Sequence, residues 1–237
     1  MSKNKGKNSN YKNNIGAEKV ESTERKISPE MMKKIIIYSV SALLVIALIV
    51  GIVLLTRPKE FSLIDLGEAP ETSYVEMDFG SYGKIVIKID GKAAPETARN
   101  FRNLVASGFY DGLTIFRAQR GFVVQGGEDK NIPLTPIKGE FDSNGHINNI
   151  THKRGVISMA RTSDPNSATS QFFITLDDSA ASSLDGKYAG FGWVVEGMEV
   201  VDAIATDLYG HAINYMGFVD DQYAIKIKSA TIIEYEE

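Results

Sequence analysis

No cysteine occurs among the 237 residues, which removes disulfides, thiolate metal ligands and thiol nucleophiles together. Histidine is nearly as scarce. The three present, His146, His152 and His211, have no metal-ligand spacing and each reads as a surface or loop residue, so no metal site is expected. Positive charge is thin beyond residue 56: seventeen Lys and Arg there face twenty-six Asp and Glu, a net of −9. A folded region this acidic argues against nucleic acid as a partner.

What is present is unevenly placed. Residues 1–34 carry nine Lys or Arg against four Glu, a net of +5, in a stretch rich in Asn, Lys and Ser. With so little apolar surface to bury, this leader is expected to be a disordered basic tail. Residues 35–56, IIIYSVSALLVIALIVGIVLLT, form an uncharged run of 22 residues. As a helix it would be about 33 Å long, enough to cross a hydrocarbon core of about 30 Å. The long leader and the missing small-x-small cleavage site favour a transmembrane signal anchor in lipid over a cleaved signal peptide. Basic residues before the run, including Lys33 and Lys34, outnumber Arg57 and Lys59 after it. The expected topology is therefore a single pass through the cell membrane, with the N-terminus cytoplasmic and the main domain extracytoplasmic. Pro58, Gly67 and Pro70 mark residues 57–72 as a linker.

Residues 73–237 read as a mainly β domain. Alternating or apolar runs at Tyr74–Phe79, Lys84–Ile89, Leu113–Ala118, Phe122–Gln125, Val156–Ala160, Phe172–Leu176, Phe191–Val195 and Ala224–Tyr235 predict eight strands, a number suited to a closed barrel without edges. Two helices are predicted. The first starts at Pro95, buries Ala98, Phe101, Leu104 and Val105 and ends near Gly108; the second covers about Met198 to Ala205.

Three segments carry the chemical signal: TIFRAQRGFVVQGGE at 114–128, SMARTSDPNSATSQFFITL at 158–176 and LDGKYAGFGWVVEGMEVVDAI at 184–204. Their Phe116-Arg117, Gly121-Phe122, Gln125-Gly126-Gly127 and Ser170-Gln171-Phe172-Phe173 resemble the active-site strands of cyclophilin-type peptidyl-prolyl isomerases. The likeness runs from Tyr74 to the C-terminus, in what looks like a membrane-anchored bacterial form. It implies an eight-stranded antiparallel closed β-barrel capped by two helices, acting without a cofactor on proline-containing polypeptides, here unfolded exported proteins. It also implies that Arg117 is catalytic, that Phe122, Val123, Phe173, Leu184 and Tyr188 line a proline pocket, and that Gln125 and Gln171 serve the substrate backbone.

The implied chemistry is physically coherent. Amide resonance sets a barrier of about 18–20 kcal/mol to rotation about the X-Pro bond. A guanidinium that donates to the proline nitrogen as it loses conjugation binds the twisted amide more tightly than the planar one. Other chemistries lack their parts. Gly126-Gly127 is not followed by Lys-Ser/Thr as a phosphate loop requires, and neither Ser158 nor Ser170 has a histidine placed in a nucleophile pattern.

The chain also departs from the family pattern. Phe116 stands where a histidine is common and Arg120 where a proline is common. Ser183 replaces a tryptophan that packs against cyclosporin, and Tyr188 replaces a histidine, so tight cyclosporin binding is not expected. The segment RTSDPNSAT, 161–169, is one residue longer than in familiar eukaryotic members. These departures keep two other readings open: a non-catalytic proline-peptide binding module or holdase, and a structural membrane anchor.

Overall fold

The computed structural model describes residues 28–55 and 61–236, in two compact units split after Lys59. Of residues 1–34, expected to be disordered, 1–27 lie outside the described residues and 29–34 instead form the start of a helix. The first unit holds one long helix, α1 (Pro29–Leu55). It starts before Ile35 because Ser28-Pro29-Glu30 is a helix start: the Ser28 hydroxyl accepts from the Met31 amide at 3.3 Å, proline occupies the first turn, and Glu30 meets the positive helix end. Among the described residues, α1 is the one helix long and apolar enough to cross a membrane by length and composition; its span Pro29–Val50 has a mean hydropathy of 2.2 and no buried residue.

The second unit is a curled antiparallel sheet with helices. In chain order it contains β1 (Thr72–Asp78), β2 (Lys84–Asp90), α2 (Pro95–Ala106), β3 (Thr114–Gln119), β4 (Val123–Gly126), β5 (Val156–Met159), β6 (Phe172–Thr175), a short α3 (Ala181–Leu184), β7 (Gly190–Glu196), α4 (Met198–Tyr209), β8 (Ile225–Lys226) and β9 (Ser229–Ile233). The sheet order is β8-β3-β4-β6-β5-β7-β2-β1-β9.

The expected eight-stranded closed barrel is corrected here. The last predicted strand, Ala224–Tyr235, breaks at Ile227 and Lys228: the Ile227 amide donates to Leu113 at 2.7 Å, while the Lys228 amide donates to Asp78 at 2.7 Å. The chain thus leaves the β3 edge and joins the β1 edge, with Ile225 and Lys226 paired to β3 and Ser229–Ile233 paired to β1. Nine strands result, and the two sheet edges are bridged by chain continuity rather than by one continuous ladder.

The described part of the expected linker is also revised. Residues 61–71 belong to the folded unit: the Phe61 ring meets Phe109 edge-on at 5.3 Å, the Leu66 amide donates to Asn103 Oδ1 at 3.0 Å, and the Ile64 amide donates to Ser107 Oγ at 2.7 Å. Apolar residues at 61, 63, 64 and 66 lack a regular period, which hid their packing from pattern reading.

Two apolar clusters lie on opposite sides of the sheet. The large interior cluster takes Val75, Met77, Ile85, Ile87, Phe101, Leu104, Val124, Ile157, Phe172, Ile174 and Phe191, with α2 and α4 closing it through Val105, Val201, Ile204 and Leu208. The small outer cluster comprises Val123, Ala160, Phe173, Ala180 and Leu184, with Phe122 and Tyr188 packed against it. Period-two alternation divides them, since Val124 and Phe172 point inward where Val123 and Phe173 point outward.

Candidate active site

A row of directly opposed residues crosses the outer face. Arg117 on β3 pairs with Gln125 on β4, Gln125 with Phe173 on β6, and Phe173 with Ser158 on β5. Opposed residues of antiparallel neighbours project from the same side of a sheet, so these four form one line. Arg117 reaches that side because of a bulge: the β3–β4 register shifts between Ile115 and Arg117, and Phe116 is the extra residue. With Ile115 buried inside, strict alternation would have turned Arg117 inward too. Gly126 allows the close approach at the bulge, since a Cβ there would lie 2.5 Å from the Thr114 carbonyl oxygen.

The guanidinium is held on three sides. Nε donates to the Met216 carbonyl at 2.8 Å, Nη1 to Gln125 Oε1 at 2.7 Å, and Nη2 to Gln119 Oε1 at 2.6 Å. Each terminal nitrogen keeps a second N–H with no protein partner among the described residues. Partial burial draws Arg117 below the ordinary arginine range, yet an arginine remains charged at neutral pH.

The polarity of this network is set from its far end. Gln125 Nε2 donates to Gln171 Oε1 at 2.9 Å, and Gln171 Nε2 donates to Glu128 Oε1 at 2.9 Å. An ionised carboxylate only accepts, so Glu128 orients the Gln171 amide, which orients Gln125 and aims its oxygen at Arg117. The role of Glu128 was not legible in the sequence, where it reads as one more surface acid.

The expected pocket residues Phe122, Val123, Phe173, Leu184 and Tyr188 all fall in the outer apolar cluster. Phe173 and Tyr188 meet edge-on at 5.6 Å. Arg161, which sequence reading did not assign, stacks at 4.7 Å over Tyr188 and 5.0 Å over Phe141, and it donates to the Lys187 carbonyl. It thereby fixes the aromatic rim. α3 supplies Leu184 and was not anticipated, because ASSL carries no helical period.

Two expectations are refined together at the back of the pocket. His152 does lie in a loop, ahead of β5, but it is 1% exposed. Its Nδ1 lies 2.8 Å from Asp185 Oδ1 and its Nε2 lies 3.0 Å from Ser158 Oγ, so Ser158 does have a histidine beside it. With the carboxylate accepting from Nδ1–H, Nε2 accepts from the serine hydroxyl. This line resembles a nucleophile triad in connectivity only, because Ser158 is 0% exposed and opposed to Phe173 on the adjacent strand. Its effect is structural: His152 stacks 6.1 Å from Phe173 and ties the pocket floor to Asp185, next to Leu184. Burial lowers the His152 pKa from its ordinary 6.5, partly opposed by Asp185. A histidine with a depressed folded-state pKa contributes stability above the unfolded value, and that contribution is lost as pH falls through the folded one. The urea midpoint is therefore expected to fall on acidification below about pH 6.5, with a shallower fall in His152→Gln. Equal slopes for both proteins would remove His152 from this account.

Residues 74–232 match the family described as cyclophilin type peptidyl-prolyl cis-trans isomerase/CLD. Among characterised relatives, peptidyl-prolyl cis-trans isomerase A of Dickeya dadantii is 45% identical over 133 residues, covering 53% of this chain and 67% of that protein. Peptidyl-prolyl cis-trans isomerase B of Escherichia coli is 38% identical over 135 residues, covering 52% and 79%. A crystal structure of a Cryptosporidium parvum cyclophilin-type isomerase, determined in the presence of the dipeptide Ala-Pro, superposes with a TM-score of 0.57 at 25% identity, covering 68% of this chain and 99% of that one.

Proposed function

We propose, for a chain that belongs to the cyclophilin-type peptidyl-prolyl cis-trans isomerase family, that the Arg117 row is where the family's reaction takes place and that exported polypeptides are its substrates. Its activity is peptidyl-prolyl cis-trans isomerisation. The proline ring enters the recess of Phe122, Val123, Phe173, Leu184 and Tyr188, where apolar walls hold it without polar handles. Gln125 and Gln171 hold the substrate backbone. The spare N–H groups of Arg117 donate to the proline nitrogen as the amide twists, which stabilises the transition state over either planar isomer. No covalent bond forms or breaks.

The observation that carries this reading is the direct opposition of Arg117, Gln125 and Phe173 on one face, contiguous with the outer apolar cluster. Magnetisation exchange between the two isomers of a proline peptide, recorded by NMR with the full chain in detergent micelles, tests it. Exchange far faster than the uncatalysed tens of seconds is expected. Peptide binding without faster exchange would favour the binding module or holdase instead.

α1 acts as a signal anchor that keeps the enzyme beside chains emerging from the membrane, raising their local concentration. The cysteine-free sequence makes a direct test simple. Ser183→Cys, at an exposed position, is expected to react with a membrane-impermeant maleimide on intact cells. Labelling only after lysis would place the domain in the cytoplasm and end this part of the proposal.

A further inference from the structure

We propose that the turn Ile213–Phe218 is a specificity subsite, anchored by Tyr215, that takes a large aliphatic or aromatic side chain flanking the substrate proline. This deepens the reading of the Arg117 row as the catalytic site and rests on it. The row does not stop at the guanidinium. Phe218 forms an antiparallel bridge with Arg117, so it continues the line of Phe173, Gln125 and Arg117 on the side away from the proline recess. A peptide whose proline occupies that recess and whose chain crosses the guanidinium therefore arrives at this turn.

The turn is built rigidly onto the β3 edge. The Ala118 amide donates to the Gly217 carbonyl at 2.9 Å, and the Val219 amide donates to the Phe116 carbonyl at 3.1 Å. Gly217 has φ +82, and a Cβ there would lie 2.0 Å from the Ala118 carbonyl oxygen, so no larger residue permits this seat. Within the turn, Asn214 Oδ1 accepts from the Met216 and Phe218 amides at 3.0 and 3.3 Å, and the Ile213 amide donates to the Phe218 carbonyl at 2.8 Å. Little ordering remains to be done when a ligand arrives. The same backbone supplies the Met216 carbonyl that holds Arg117 Nε, so turn and guanidinium keep a fixed relation.

What this rigid turn presents is apolar. Tyr215 is 90% exposed and Ile213 60% exposed, beside a cleft of about 310 Å³ lined by Gln119, Arg120, Tyr209, Ala212 and Tyr215 among others. A lone exposed apolar residue is ordinary. Two on one fixed turn that also holds the proposed catalytic arginine give a substrate side chain something to cover, and tyrosine offers broad contact at small entropic cost. The charges nearby choose among occupants. Arg117 and Arg120, the latter stacked at 4.2 Å on Tyr209, disfavour Lys or Arg, and the exposed apolar surface of Ile213 and Tyr215 favours Leu, Phe and their like over a polar side chain.

The test measures kcat/KM for the full chain in detergent micelles on proline peptides in which each flanking position is varied among Gly, Leu, Phe, Lys and Asp. At one position the wild type is expected to prefer Leu or Phe over Gly by about tenfold, and Tyr215→Ala is expected to bring that ratio close to one. Because the readout is a ratio within one protein, a general loss of activity does not mimic it. Ratios near one at every position, a preference for Asp instead, or a preference that survives Tyr215→Ala would each overturn the subsite while leaving the isomerase reading intact. A wild type that accelerates no peptide would remove that reading and the subsite with it.

Discussion

Arg117→Ala is expected to lower kcat/KM for a proline peptide by about 100- to 1000-fold, the range found when one preorganised transition-state donor is removed. The loss should fall mainly on kcat, because the ground-state amide offers its nitrogen no strong acceptor role and peptide binding rests on the apolar recess. Exchange spectra and peptide affinity, measured on the same sample, separate the two. Stability should change little, since the guanidinium is only partly buried and its partners Gln119, Gln125 and the Met216 carbonyl lie within reach of water. Arg117→Lys should recover little of the rate: an ammonium cannot hold the Met216 carbonyl and two glutamine oxygens in one plane and still extend a donor. Glu128→Gln, which frees the Gln171 and Gln125 amides to flip, should cost only severalfold. Wild-type kcat in Arg117→Ala would mean that some other group stabilises the twisted amide.

The second large effect separates two neighbouring phenylalanines. Phe172 is 0% exposed and meets Tyr110 edge-on at 5.6 Å and Phe101 at 6.0 Å. Phe172→Ala should destabilise the domain by about 3–5 kcal/mol and lower Tm by roughly 10 °C, at about 2–4 °C per kcal/mol for a domain of this size. Phe173 faces the other way, into the small outer cluster. Phe173→Ala should cost less stability and instead raise KM by about tenfold or more, because the proline ring loses its floor. Urea unfolding and steady-state kinetics on both variants check the pair. If Phe172→Ala weakened substrate binding and Phe173→Ala mainly unfolded the protein, the assignment of faces would be reversed.

Much of the candidate site was legible in the chain because its elements are local. Phe172-Phe173 and Val123-Val124 carry their inward and outward directions in the strand period, and Arg117, Gln125 and Phe173 sit in short motifs whose spacing survives folding. Helix α2 was readable from Pro95 and its apolar stripe, for the same reason. The misses share a different cause. Ser158 lies six residues from His152 and Asp185 lies 33, and nothing in the roughly 800 Å of extended chain would mark the three as partners; only the tertiary fold brings them within hydrogen-bond reach. Glu128 and Arg161 were overlooked because a charged side chain in a loop looks the same whether it faces water or completes a network.

The amino-acid order by itself determined the class of the domain and the apolar span near the N-terminus and supplied the candidates for the guanidinium and the apolar recess, since periodicity and motif spacing are properties of neighbours along the chain. Tertiary structure alone decided that Phe116 bulges so that Arg117 turns outward, that the final strand divides between two sheet edges, and that residues 213–218 flank the guanidinium. Each of those depends on which distant backbone groups find one another, a choice made by hydrogen bonding and burial across the whole fold.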